Sequence, residues 1–106
     1  MTAGQVIVVV ALMAQIYGVD PALLDCIAYR ESTYSVDAVN GACTGVMQWH
    51  PETLAWLGEK AQGDPAWLHG DIGAGPVQDV ALSAWAIKKG YGEHWATFRG
   101  CGGGEG

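Results

Sequence analysis

Four residues, Gly18-Val19-Asp20-Pro21, divide the first third of the chain into two apolar segments of helical spacing, and that division constrains the fold more than any other stretch. Glycine suits the left-handed residue just past a helix. Aspartate caps the start of the next one, and proline fits its first position, where an amide would have no partner. Before the junction, Gln5 and Gln15 are the only strongly polar residues between Ala3 and Tyr17, which predicts a helix buried on most sides. The run Val6 to Ala14 is too short to span a bilayer and follows no basic residue, so it is read as this helix and not as a signal or anchor. After the junction, Leu23, Leu24, Ile27 and Ala28 recur at helical spacing and predict a helix from Pro21 to Ser32. Glu31 stands four residues beyond Ile27, so the spacing aims a carboxyl along the apolar seam. Burial disfavours the ionised form, the adjustment by which a glutamic acid can give up a proton near neutrality. Arg30 points about 100° away around the helix and need not pair with it.

The rest of the chain is also helical in pattern. Tyr34 to Thr44 reads as a loop of small and polar residues. Pro51 opens a helix expected to run to Leu57 and stop at Gly58, with Trp56 and Leu57 in the core. Glu59 to Gly75 is a polar, glycine-rich connection around Ala66-Trp67-Leu68, where Trp67 is expected to pack inward. Val77, Val80, Ala81, Ala84, Trp85 and Ile87 supply the apolar face of a helix from Pro76 to Lys89. The expectation is an all-α domain over residues 1–101 with a flexible glycine-rich tail, 102–106.

Composition narrows the partners. A net charge of −6 argues against nucleic acid or an anionic membrane surface. Cys26, Cys43 and Cys101 have no metal-binding spacing, and His50, His69 and His94 place no pair on one helical face, so no metal or other cofactor is expected.

Glu31-Ser32, Tyr34, Ala38-Val39-Asn40, Gly45-Val46-Met47-Gln48, Pro51, Thr53, Leu57 and Gly58 together resemble the catalytic stretch of soluble-type lytic transglycosylases and of goose-type lysozymes. That pattern runs Glu-Ser, an aromatic, Ala-Val-Ser, Gly-Leu-Met-Gln, Pro, Thr, Leu-Gly. The resemblance implies a small lysozyme-like domain of five to six helices around a catalytic helix, with a cleft for peptidoglycan strands. It makes Glu31 the general acid/base, sets Ser32 near the sugar or the acid, and has Gln48 hydrogen-bond the substrate. Met47 would shape the cleft wall, although a methionine there is as readily core filler. The chain departs from the pattern in several places. Trp49 and His50 replace an aliphatic pair; Asp79 and Ser83 stand where the Asn-Ile-x-x-Gly helix has Asn and Gly; and Ala-Tyr-Asn-Ala-Gly is missing. Gly90-Tyr91-Gly92 and Trp95 look instead like compact wall-cleaving domains of phage tails and of resuscitation-promoting factors. In the latter a final cysteine bridges to the catalytic helix, just before the Glu. Here Arg30 holds that place, Cys26 lies a turn earlier and Cys43 competes, so a bridge from Cys101 has two candidate partners.

Cleaving a glycosidic bond requires a proton on the leaving oxygen and stabilisation of an oxocarbenium-like centre; hydrolases use a second carboxylate for this. Asp37 and Asp79 are the candidates, each by default a solvated turn or helix residue. A lytic transglycosylase needs none, because the muramyl 6-hydroxyl attacks its own anomeric carbon. Tyr91 and Trp85 could line the donor side of the cleft or pack in the core. The leading expectation is cleavage of the β-1,4 bond between N-acetylmuramic acid and N-acetylglucosamine with formation of 1,6-anhydromuramic ends. A lysozyme-type hydrolase and a non-catalytic wall-binding or tail module are the alternatives. Peptidoglycan carries carboxylates too, so an acidic domain should reach it through a tether to a phage virion or a separate wall-binding module, or act as an endolysin or a secreted enzyme.

Overall fold

In the computed structural model, which describes residues 1–72 and 75–104, the two apolar segments are helices α1 (Ala3–Tyr17) and α2 (Pro21–Ser32). The junction forms as its residue types dictate: Gly18 takes φ 69°, and the Asp20 carboxylate accepts from the Ala22 N–H at 3.0 Å. At the other end of α1, Thr2 and Gln5 exchange side-chain and backbone hydrogen bonds in a capping box. α2 stops at Thr33 and Tyr34, both left-handed, and the Tyr34 hydroxyl turns back to the Asp25 carboxylate at 3.0 and 3.1 Å.

The chain continues through a hairpin of two-residue strands, β1 (Val39–Asn40) and β2 (Cys43–Thr44), paired antiparallel with Val39 opposite Thr44. Then come α3 (Pro51–Gln62), α4 (Pro76–Lys88), a 3₁₀ turn over Gly92–His94 and the short α5 (Thr97–Gly100). The described residues thus form a mainly helical, lysozyme-like domain of five α-helices. Its innermost helix is α4, where every residue from Val80 to Ala86 is buried. α1 packs against both α4 and α2, α3 packs against α4, and α2 packs against α5.

Three expectations about packing are corrected. α1 is a surface helix: Val6, Val10, Met13, Ala14 and Tyr17 face inward, while Ile7, Val8, Leu12 and Ile16 are exposed. Being apolar all round did not bury it, because α4 already occupies the centre. α3 runs one turn past Gly58, since that glycine packs against Ile72, whose side-chain carbons would lie 3.0 Å from an added Cβ. Trp56 is exposed, because Leu57 takes the inward position and turns its neighbour out beside Tyr91 and His94.

The connection after α3 is anchored through Asp64, which accepts from Trp85 Nε1 at 2.9 Å and pairs with Lys89 at 3.0 Å. The Ala66 N–H, which donates to the same carboxylate, holds it down to about 2 together with the Lys89 and Trp85 contacts. Half-buried Trp67 stacks on Tyr17, and the Tyr17 hydroxyl meets His69 Nδ1 at 2.6 Å. Of the expected tail, Gly102 to Gly104 turn back on α5: the Gly103 N–H donates to the Phe98 carbonyl at 2.8 Å, and Gly103 is buried against the Phe98 ring. Glu105 and Gly106 of that tail, and residues 73–74 of the connection, lie outside the described residues. Among the described residues no helix is long and apolar enough to cross a membrane.

Candidate active site

Glu31 occupies the last turn of α2, half-buried, at the edge of the apolar seam formed by Leu24, Ile27 and Ala28. Its partner comes from the far end of the chain: Thr97 Oγ1 donates to Glu31 Oε2 at 2.8 Å. Arg30 does not pair with it. The guanidinium of Arg30 lies against α5, 3.0 Å from where a Cβ on Gly100 would sit, and among the described residues Glu31 takes part in no ion pair. Thr97 was not a sequence candidate. The one signal for it is its place four residues before Cys101, which forms a disulfide with Cys26 with the Cα atoms 5.8 Å apart. Cys43, the competing partner, is a free thiol on β2.

The turn Gly45 to Gln48 is built as a buried support. Gln48 has φ 53°, and its Nε2 donates to the carbonyls of Ala38 at 3.1 Å and Gly45 at 2.8 Å, tying the hairpin to the turn. Its Oε1 is buried and has no partner among the described residues. Met47 is fully buried, a core residue and not a wall exposed to ligand; its backbone carbonyl accepts from Trp95 Nε1 at 2.9 Å. Ser32 is engaged locally, donating to the Ala28 carbonyl at 3.3 Å and accepting from the Ser35 N–H at 3.2 Å.

Asp79 reaches this same turn from α4. Its Oδ2 accepts from the Met47 N–H at 3.4 Å and would lie only 2.8 Å from a Cβ on Gly45, so glycine with φ 82° is needed there for two reasons. The default of a solvated helix residue is overturned. Asp79 is half-buried and lines a pocket of about 220 Å³ with Val36, Thr44, Trp49 and Ile72. Burial pushes its carboxyl up to about 7, against the opposing pull of the Met47 and Val46 amides. Glu31 does not line that pocket. Asp37 is an exposed loop residue.

Two of the departures from the family pattern meet in space. Trp49 Nε1 donates to Ser83 Oγ at 3.0 Å, with both side chains buried, and Ser83 Oγ donates to the Asp79 carbonyl at 2.9 Å. Trp49 also packs against Trp95 with ring centroids 4.2 Å apart. Trp85 is 2% exposed and spends its N–H on Asp64, so it offers no ring face to a ligand. Tyr91 is half-buried and leans on Trp56 and Trp85. Among the described residues no cluster of His, Cys, Asp and Glu is arranged to hold a metal ion.

The site that emerges is one carboxyl at a helix end, held by a hydroxyl donor, and a turn braced by the Gln48 side chain and by the Asp79 carboxylate. The family description "Transglycosylase SLT domain" matches residues 9–94, a span that contains Glu31, the Gly45 turn and Asp79. No curated protein and no solved structure matches the chain.

Proposed function

The chain belongs to the transglycosylase SLT domain family, whose members are lytic transglycosylases acting on peptidoglycan glycosidic bonds, and from that premise we propose that Glu31 is its single acid/base. The bond cut is the β-1,4 link between N-acetylmuramic acid and N-acetylglucosamine. The observation that carries this reading is the setting of Glu31: half-buried at the end of α2, bonded by the Thr97 hydroxyl and, among the described residues, in no ion pair.

In the first step Glu31 gives its proton to the glycosidic oxygen as the bond from that oxygen to the muramyl anomeric carbon breaks. The muramyl O6 then attacks that carbon, its proton passes to the Glu31 carboxylate, and a 1,6-anhydro ring closes. The acid is regenerated and no water is consumed. Asp79 favours this route over hydrolysis. Its carboxyl is bonded to the Met47 amide and lines a pocket that Glu31 does not, so it supports the turn instead of activating water beside the acid. Gln48, with its buried Oε1, holds the turn in shape, and Ser32 and Tyr91 stand at half-buried positions open to contact with sugar.

With a net charge of −6, the domain reaches its acidic substrate by a tether to a virion or a wall-binding module, or by release as an endolysin or secreted enzyme. Mass-spectrometric analysis of sacculi digested by wild type and by Glu31→Gln tests the chemistry. Muropeptides ending in 1,6-anhydromuramic acid are expected with wild type and are absent with the variant. Reducing muramyl ends would replace transglycosylation by hydrolysis, and binding to sacculi without any cleavage would make this a non-catalytic wall module.

A further inference from the structure

We propose that Thr97 is the positioning residue of Glu31 and that the Cys26–Cys101 disulfide is the clamp that keeps it in place; the proposal rests on the reading of Glu31 as the acid. A hydroxyl bonded to Oε2 at 2.8 Å fixes the rotation of the carboxyl, leaving Oε1 as the oxygen that delivers and recovers the proton. When the carboxylate forms after the first transfer, the same hydroxyl stabilises its charge.

The buried neighbours Trp95 and Phe98 anchor this segment in the core. α5 itself has four residues and no side-chain cap, too short a helix to persist by its own hydrogen bonds. A second support comes from α2. Cys26, just over a turn before Glu31, is bridged to Cys101, whose N–H donates to the Thr97 carbonyl at 3.0 Å. Arg30 lies along Gly100 between those two attachments. The acid and its donor therefore sit on two short arms, closed at one end by sulfur and at the other by the Thr97–Glu31 hydrogen bond.

The test measures initial rates of cleavage on solubilised, uncrosslinked glycan strands over a range of concentrations. Thr97→Val keeps the side-chain shape and removes the hydroxyl. It should lower kcat by about tenfold with KM unchanged, the size of one lost hydrogen bond to a charged group. Thr97→Ser restores the hydroxyl and should recover most of that loss. A packing role predicts the reverse order, since serine lacks the methyl that valine keeps, and valine matching or exceeding serine would overturn the proposal. Cys101→Ser should lower kcat by a similar factor, and adding Thr97→Val to it should do little more; losses that multiply would overturn the clamp. Glu31→Gln separates the two levels. If it keeps wild-type turnover, the assignment of the acid fails and the positioning role with it. If it is inactive while Thr97→Val is unaffected, only the positioning role fails.

Discussion

Replacing Asp79 by asparagine should stabilise the protein near neutrality and leave it unchanged in acid. The carboxyl rises from its ordinary 3.8 to about 7 because burial penalises its charge more than the Met47 and Val46 amides reward it. Between those two values the folded protein binds more protons than the unfolded chain, so wild-type stability falls as pH rises from about 4 to about 7. The interval is about three pH units, and at about 1.4 kcal/mol for each the loss is at most about 4 kcal/mol. Water entering the 220 Å³ pocket takes the measured value below that ceiling. Asparagine keeps an oxygen to accept from the Met47 N–H and cannot ionise, so it avoids the loss. The assay is urea unfolding of the oxidised protein followed by tryptophan fluorescence, for both proteins, from pH 4 to pH 8. Their difference in unfolding free energy should be near zero at pH 4, grow through the interval and level off above pH 7. His69 acts in the opposite sense: burial lowers it from 6.5, so its contribution is lost as pH falls through that range, but it is common to both proteins and cancels in the difference. A difference that is flat with pH would refute the buried carboxyl. A variant that loses ground as pH rises would show that the anion is what holds the turn.

Ser83→Ala leaves the Trp49 indole N–H buried without an acceptor, and should cost about 1–3 kcal/mol in urea unfolding; an unchanged midpoint would mean the bond contributes nothing. Cys101→Ser opens a loop with a sequence separation of 75, and chain entropy sets the loss at about 4 kcal/mol. A fall in Tm under reducing agent in wild type, absent in the variant, checks the same contribution.

Where structure follows from neighbours in the chain, the sequence was readable. Gly18, Asp20 and Pro21 each dictate a local backbone state, and α2 begins and ends at the expected residues. Bounds and burial that depend on distant partners were hidden. Gly58 reads as a stop unless Ile72 is known to press on it. α1 reads as central unless α4 is known to fill the centre. Asp79 reads as a surface acid because the turn that encloses it lies 32 residues away at Met47. Glu31 and the Gly45 turn were visible as an ordered motif, whereas Thr97 has no motif of its own. Cys26 and Cys101 mark its place only once they are known to be joined.

The Trp49–Ser83 pair also bears on how such a core can change over generations. With an aliphatic residue at 49 and glycine at 83, neither position needs a hydrogen bond; with tryptophan and serine, the bond is made. Tryptophan with glycine strands an indole N–H, and an aliphatic residue with serine changes only the packing, since the hydroxyl can still fall back on the Asp79 carbonyl. The second intermediate loses packing but strands no polar group. The easier route between the two cores therefore admits the serine first, and the opposite order would need a third substitution to shelter the indole.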